Sequence, residues 1–173
     1  MALFIAATGV FFSGPSPASS PAPAKVGVPL RLTIPKIDVD AKIEHVGLTP
    51  EGAMDVPQHP RNAAWFDRGP RPGATGSSVI DGHFDSEDGS PAVFSDLHTL
   101  EVGDKVHVED AEGTTITFIV RESRRYDPDA DATKVFRSHG TGAHLNLITC
   151  AGTWNTSEQR YSSRLVVFTD RAP

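Results

Sequence analysis

Short alternating segments, separated by turn-forming residues, constrain the fold of this chain more than any other sequence feature. Apolar and polar residues alternate over only a few positions at a time, which is the period of a strand with one buried face. The 15 glycines and 14 prolines leave no long segment with helical periodicity. Closure into a barrel would protect the edges of so many short strands, so we expect an all-β fold with only short helical turns. The predicted strands are residues 30–34, 37–43, 77–81, 105–109, 114–121, 145–149 and 165–169.

The length and charge of the chain narrow its organisation and its partners. A chain of 173 residues is long enough for one domain with a real core and too short for two comfortable ones. The formal net charge of −6 comes without a cluster of Lys and Arg along one face. A phosphate-binding track needs such a cluster, so we do not expect a nucleic-acid partner.

The N-terminal segment predicts an attachment to a membrane. Residues 1–12 are apolar and uncharged, but this run is shorter than the roughly 20 residues that span a bilayer, and it has no basic start. We interpret it as the remnant of a membrane anchor, with an apolar tail as the alternative. Ser, Pro, Ala and Gly then dominate residues 13–26, a composition typical of a semi-stiff tether. The predicted division is therefore anchor and tether at residues 1–27 and one folded domain at residues 28–173.

The chain contains one cysteine, Cys150. A lone cysteine cannot form an intramolecular disulfide, so it is a core residue, a reactive thiol or an intermolecular link. Cys150 comes directly after the predicted strand 145–149 and before Ala151 and Gly152. A thiol placed where a rigid strand meets an accessible loop is well positioned to act as a nucleophile.

A thiol is a weak nucleophile at neutral pH unless a histidine or a positive charge lies close to it. Among the seven histidines, His83 follows the predicted strand 77–81 through Asp81 and Gly82, so it occupies a strand end as Cys150 does. His144, near the start of the cysteine strand, is the alternative base. His83 is the predicted partner of the thiol.

Acyl transfer also needs a donor for the developing oxyanion, and arginine supplies a fixed charge with several N–H groups. Arg164 directly precedes the predicted strand 165–169 and could face Cys150 from a neighbouring strand. Arg160, four residues earlier, is the competing candidate.

Taken together, these residues resemble the motifs of the sortase family. The resemblance is carried by Leu147-Ile148-Thr149-Cys150, by Arg164 14 positions later, and by Gly82-His83, with His83 67 positions before the cysteine. Segments 32–37 and 69–86 are most similar to the actinobacterial class F branch. Three separated motifs occur in the order found in the family.

The resemblance implies a fold and a reaction. It implies a closed eight-stranded sortase β-barrel in which Cys150 attacks the Thr-Gly bond of an LPxTG-like sorting signal. His83 would serve as general acid for the leaving amine, Arg164 would hold the carbonyl or oxyanion, and Thr149 would add a hydrogen bond near the substrate. An amine of a peptidoglycan precursor, or water more slowly, would resolve the thioacyl-enzyme. No metal or organic cofactor is required.

The resemblance also implies partners and a location. Surface proteins with a C-terminal LPxTG-like signal would be the substrates, and the enzyme would work on the outer face of the cell membrane. One departure from the family concerns Asp81, which stands where alanine is commoner before Gly-His. A carboxylate there could raise the pKa of the neighbouring imidazole if it points inward.

Three alternatives remain open at this stage. Residues 138–142 (SHGTG) resemble part of the L,D-transpeptidase motif, although threonine stands where that family has its cysteine. Asp127, Asp129 and Asp131 resemble the start of a calcium loop, but Ala132 replaces its glycine and Ser138 its glutamate, which leaves only a nonstandard site. The third alternative is a non-catalytic wall-binding or interaction module with a buried cysteine. Residues 127–142 are otherwise predicted to be a loop with a helical turn at 133–137.

Overall fold

The computed structural model describes residues 26–137 and 141–173, and within them eight strands close into a barrel. The predicted all-β class and closed eight-stranded barrel are confirmed. A four-residue helix α1, Thr133–Phe136, lies in the predicted loop, and two single 3-10 turns are the other helical elements of these residues. The strands are β1 Pro29–Ile34, β2 Val39–Val46, β3 Ala63–Phe66, β4 Gly76–Gly82, β5 Lys105–Asp110, β6 Thr115–Tyr126, β7 Ala143–Asn155 and β8 Arg160–Arg171.

The strand order brings distant segments of the chain together. Around the barrel the order is β1-β2-β3-β4-β7-β8-β6-β5, and β5 pairs with β1 to close it. The pairs β2–β3 and β4–β7 are parallel, whereas the other neighbouring pairs are antiparallel. Because β4 and β7 run in the same direction, the end of β4 lies beside the second half of β7.

Alternation along β7 and β8 separates the inside of the barrel from the outside. Leu145, Leu147 and Val167 have no exposed surface and belong to the central core. Burial of one such side chain contributes roughly 1.5–3 kcal/mol to folding. Ile148 and Val166 face outward and pack with a second, smaller apolar cluster. Even-numbered residues of both strands therefore point to the outer face.

Helix α1 lies on that outer face. Its Val135 packs with Val79, Val166 and Phe168 in the smaller cluster. The side-chain amide of Asn146 donates a hydrogen bond of 2.5 Å to the carbonyl oxygen of Val135. Packing and this hydrogen bond together fix the helix against the sheet, because four residues form too short a helix to be stable alone.

Several strand bounds differ from the prediction. Strand β2 begins and ends later than residues 37–43, β6 continues beyond residue 121, and β8 extends beyond 165–169 at both ends. Sequence patterns gave no sign of β3, where Ala63, Ala64 and Trp65 are all buried and do not alternate, since both faces of this strand are covered. The cysteine strand was predicted to end at residue 149 but continues to Asn155 in a hairpin with β8. The pairing of that hairpin shifts between Ala151 and Trp154, so the regular ladder is interrupted directly after Cys150.

The predicted anchor and tether lie outside the described residues up to residue 25. In the part of the chain that the structure describes, no helix is long and apolar enough to cross a membrane.

Replacing Gly82 by alanine should destabilise the fold. A Cβ at this position would overlap Cδ2 of the fully buried Phe94 and lie 2.7 Å from Cγ1 of Val93. Overpacking of this kind costs about 1–3 kcal/mol, measurable as a lower midpoint in urea unfolding. The matched control is Gly47→Ala, whose Cβ would meet only ordinary contacts from 3.6 Å outward. Equal midpoints for the two variants would contradict this account of Gly82.

Candidate active site

Three neighbouring strands carry the chemistry-bearing residues. Cys150 of β7 is the direct cross-strand partner of Arg164 in β8, and Ile148 of β7 is paired with Asp81 of β4. Residues directly opposite each other in a sheet point to the same face, with Cβ atoms about 5 Å apart in an antiparallel pair. The thiol, the guanidinium and the Asp81 carboxyl therefore share the outer face of the barrel.

His83 joins this group from the end of β4. It follows the last residue of β4, and extension of the parallel register from Asp81 and Ile148 brings it level with Cys150. One ring nitrogen, Nε2, lies 2.7 Å from the carbonyl oxygen of Pro57. A carbonyl oxygen can only accept, so Nε2 carries the hydrogen, and Nδ1 has no hydrogen-bond partner among the residues that the structure describes.

Arg164 is available to a ligand, whereas Arg160 is occupied. Within the described residues Arg164 forms no ion pair, and its Nη1 donates only to the Ser163 carbonyl oxygen, at 3.3 Å. Arg160 holds both carboxylate oxygens of Asp129, at 2.8 and 3.0 Å, and one oxygen of Glu158 at 2.7 Å. The cross-strand position and the free guanidinium both favour Arg164.

Opposing effects set the charge state of the thiol. Partial burial raises the pKa of Cys150, the charge of Arg164 lowers it, and the carboxylates of Asp81 and Asp85 raise it further. Burial has the largest effect, so Cys150 is mainly the neutral thiol at neutral pH. The arrangement needs a proton acceptor near the thiol when it reacts.

Asp81 does point into the site. Burial raises the pKa of its carboxyl to about 7, although the charges of His83 and Arg164 pull in the opposite direction. The acid therefore titrates near neutral pH beside both residues.

Thr149 connects two of the strands instead of pointing outward. Its side chain is 1% exposed, and its hydroxyl donates a hydrogen bond of 2.7 Å to the Gly82 carbonyl oxygen. It also borders a cleft beside Cys150. Its predicted hydrogen bond to a substrate stays a prediction.

Comparison with known proteins identifies the family of this domain. The sortase domain profile matches residues 32–172, most of the chain. This chain belongs to the sortase family. Sortases are transpeptidases that sort proteins to the cell wall, which places the chain in that class of enzyme.

Solved sortase structures show the same fold. Sortase C-1 of Actinomyces oris is 25% identical with a TM-score of 0.66, over 83% of this chain and 73% of that chain. The lid mutant of sortase A from Corynebacterium diphtheriae is 23% identical with a TM-score of 0.66, over 88% of this chain and 74% of that chain. Sortase C1 of Streptococcus agalactiae, in complex with MTSET, is 22% identical with a TM-score of 0.65, over 83% and 67% of the two chains. A search of curated proteins gave no match.

The structure argues against His144 as the base and against a calcium site in this sortase. His144 lies six positions before Cys150 on β7, roughly 20 Å away at the rise of a strand, and its Nδ1 is 2.6 Å from Asp170.

The aspartates of the possible calcium site have other partners. Asp129 is held by Arg160, and Asp131 accepts hydrogen bonds from Thr133. No group of three or more metal-binding side chains occurs among the described residues. Residues 138–140 of the L,D-transpeptidase-like motif lie outside them.

Sequence reasoning missed an aromatic contact next to the thiol. The Tyr161 hydroxyl of β8 donates a hydrogen bond to Asp85, just beyond His83, and the Tyr161 ring packs edge-on against Phe84 and Trp154. This contact ties the segment after β4 to the β7–β8 hairpin. The sequence shows the aromatic residues Phe84, Trp154 and Tyr161, but their presence alone does not predict that they are in contact.

Asp81→Asn should make this sortase more stable, with a gain that grows as the pH rises. A folded-state pKa above the ordinary value means that the carboxyl contributes more favourably at low pH and loses that contribution as the pH rises towards 7. Asparagine is neutral throughout. Thermal unfolding of both proteins from pH 5 to pH 8 should show the difference widening by up to about 3 kcal/mol. A difference that stays constant with pH would contradict the buried, titrating carboxyl.

Proposed function

We propose that this sortase is a cysteine transpeptidase that cleaves an LPxTG-like sorting signal between Thr and Gly and transfers the acyl group to an amine. The observation that carries the proposal is the pairing of Cys150 with Arg164 across β7 and β8. His83 follows the end of β4, where extension of the β4–β7 register brings it level with Cys150. A nucleophile, a proton-transfer group and a cationic donor are the three parts that acyl transfer requires.

Each step of the proposed reaction uses one of these groups. The Cys150 thiol gives its proton to His83 as the sulfur attacks the threonine carbonyl carbon, and Arg164 stabilises the resulting oxyanion. The C–N bond then breaks, His83 passes that proton to the leaving amine, and a thioester remains on Cys150. An incoming amine attacks the thioester and gives a proton to His83, the C–S bond breaks, and the sulfur takes the proton back from His83, which regenerates the thiol.

A small apolar cleft beside Arg164 supports the substrate part of the proposal. Its floor is formed by Ile148 and Val166, and Val135 and Phe136 of α1 form one wall. The cleft has a volume of about 90 Å³, and apolar atoms make up most of its surface. The leucine and proline side chains that precede the threonine of the signal are of suitable size and polarity for such a cleft.

We further propose the cellular setting. The residues of segments 32–37 and 69–86 support membership of the actinobacterial class F branch, and therefore a Gram-positive host. The apolar start and the Pro-rich composition of residues 1–27 support an N-terminal anchor that holds the enzyme on the outer face of the cell membrane. The acceptor would then be an amine of a peptidoglycan precursor.

Mass spectrometry tests the reaction directly. Residues 25–173, incubated with an LPxTG peptide and a glycine-based amine, should give a thioacyl adduct on Cys150 and a product joined through threonine. Cys150→Ala should give neither, because it retains the fold but lacks the sulfur. Absence of adduct, cleavage and product across a varied peptide panel would refute the proposed reaction.

Substitution of the two arginines tests the oxyanion assignment. Arg164→Ala should lower kcat/KM about 100-fold or more, the usual cost of losing an oxyanion donor. Arg160→Ala is the matched control and should retain most activity, since it loses only ion pairs with exposed carboxylates of Asp129 and Glu158. Steady-state kinetics on one peptide decides between them, and the reverse ranking would overturn the assignment of Arg164.

A further inference from the structure

A second, larger cleft lies on the outer face of the same strands. Its volume is about 490 Å³, and its walls come from β4, β6, β7, β8 and α1. Four permanent positive charges surround it, from Arg121, Arg124, Lys134 and Arg137, against two carboxylates, Glu122 and Asp170. We call this the basic cleft. An excess of two positive charges is concentrated here on a chain whose net charge is −6.

Within the described residues two of these cations form no salt bridge, although the Asp131 carboxyl lies near enough to Lys134 for the lysine charge to help lower its pKa. Arg121 pairs with Asp170 and Glu122, and Arg124 pairs with Glu122. Lys134 and Arg137, by contrast, form no ion pair with any residue that the structure describes. The spare charge of the basic cleft therefore comes from α1 and the residue that follows it.

The wall of the basic cleft also contains an unpartnered buried polar group. Asn146 is 1% exposed, and its side-chain oxygen accepts no hydrogen bond within the described part of the chain. Buried acceptors are normally paired, so an oxygen without a partner in a cleft wall favours a ligand that brings an N–H group. A peptide with acidic side chains carries both N–H groups and negative charge.

The basic cleft adjoins the apolar cleft next to Arg164. Tyr126 borders both clefts, and α1 contributes Val135 and Phe136 to the apolar one and Lys134 and Arg137 to the basic one. Along β7, Asn146 lies four positions before Cys150, about 13 Å at the rise of a strand. An extended peptide covers about 10 Å in three residues. A peptide whose threonine is at Cys150 and whose leucine is in the apolar cleft would therefore reach the basic cleft with the residues that precede leucine.

We propose that the basic cleft binds acidic residues directly N-terminal to the sorting signal and so selects among substrate proteins. This inference rests on the proposed function for the direction of the peptide. The attraction involves exposed side chains and weakens with salt. Two such contacts correspond to a preference of about 3- to 10-fold.

The test compares two peptides with the same sorting signal, preceded by Glu-Asp-Glu or by Gln-Asn-Gln. At low salt the acidic peptide should have a kcat/KM about 3- to 10-fold higher, through KM, and the advantage should shrink in about 0.5 M NaCl. The double variant Lys134→Glu, Arg137→Glu should lose the preference but still turn over the neutral peptide. The matched control reverses two exposed lysines on the β1–β2 side, Lys36→Glu and Lys42→Glu, and should keep it.

The outcomes separate this inference from the proposed reaction. Equal kcat/KM for both peptides, with product formed, would overturn the basic cleft as a substrate site and leave the transpeptidase intact. A preference that survives the double variant would also overturn it. If neither peptide reacts, fluorescence anisotropy with a rhodamine-labelled acidic peptide decides: tighter binding to the wild type than to the double variant supports the site, and equal binding refutes it. Polyphosphate binding that the double variant loses, with equal turnover of both peptides, would assign the cleft to a phosphate polymer instead.

Discussion

The parallel pairing of β4 with β7 is the constraint on which the candidate active site depends. It joins segments almost 70 residues apart, and the buried hydrogen bond from Thr149 to the Gly82 carbonyl oxygen holds their relative height. A shift of one residue in this pairing would turn the cysteine face towards the core. The proximity of His83 to Cys150 therefore depends on the register between β4 and β7. Closure of the barrel makes this register difficult to change.

Charge and burial oppose each other within the site. Burial raises the pKa of both Cys150 and Asp81, while Arg164 lowers both. A free guanidinium thus stands beside a thiol that is mainly neutral and an acid that titrates near pH 7. The positive charge of Arg164 can therefore stabilise a carbonyl oxygen that becomes negative. Electrostatic stabilisation of such an oxyanion accelerates acyl transfer.

The outer face of the sheet changes character along its length. Beside the thiol, Ile148 and Val166 form an apolar floor, and beyond α1 the surface becomes positively charged around Lys134 and Arg137. Helix α1 separates these regions and contributes side chains to both. Since Asn146 and the apolar cluster hold α1 in place, the geometry of both clefts depends on the same four-residue element.

Much of the fold could be predicted from the sequence, because alternation and turn residues are local signals. They placed seven of the strands but missed β3, which is buried on both sides. They also made β6, β7 and β8 too short, because the pairing of these strands continues beyond irregular positions. The hydrogen bond between Tyr161 and Asp85 could not be predicted from local patterns, since it joins residues that are 76 positions apart.

The sequence by itself determined which groups are available: one thiol, Cys150, a histidine after a strand, and two arginines near the last strand. Only the tertiary structure decided how they combine. In the folded chain Arg164 lies opposite Cys150, whereas Arg160 is bound to Asp129. His144 lies at the far end of β7, and Asp81 faces the site. The physical reason is that strand register and ion pairing are long-range properties, fixed when the barrel closes and not by the residues next to each group.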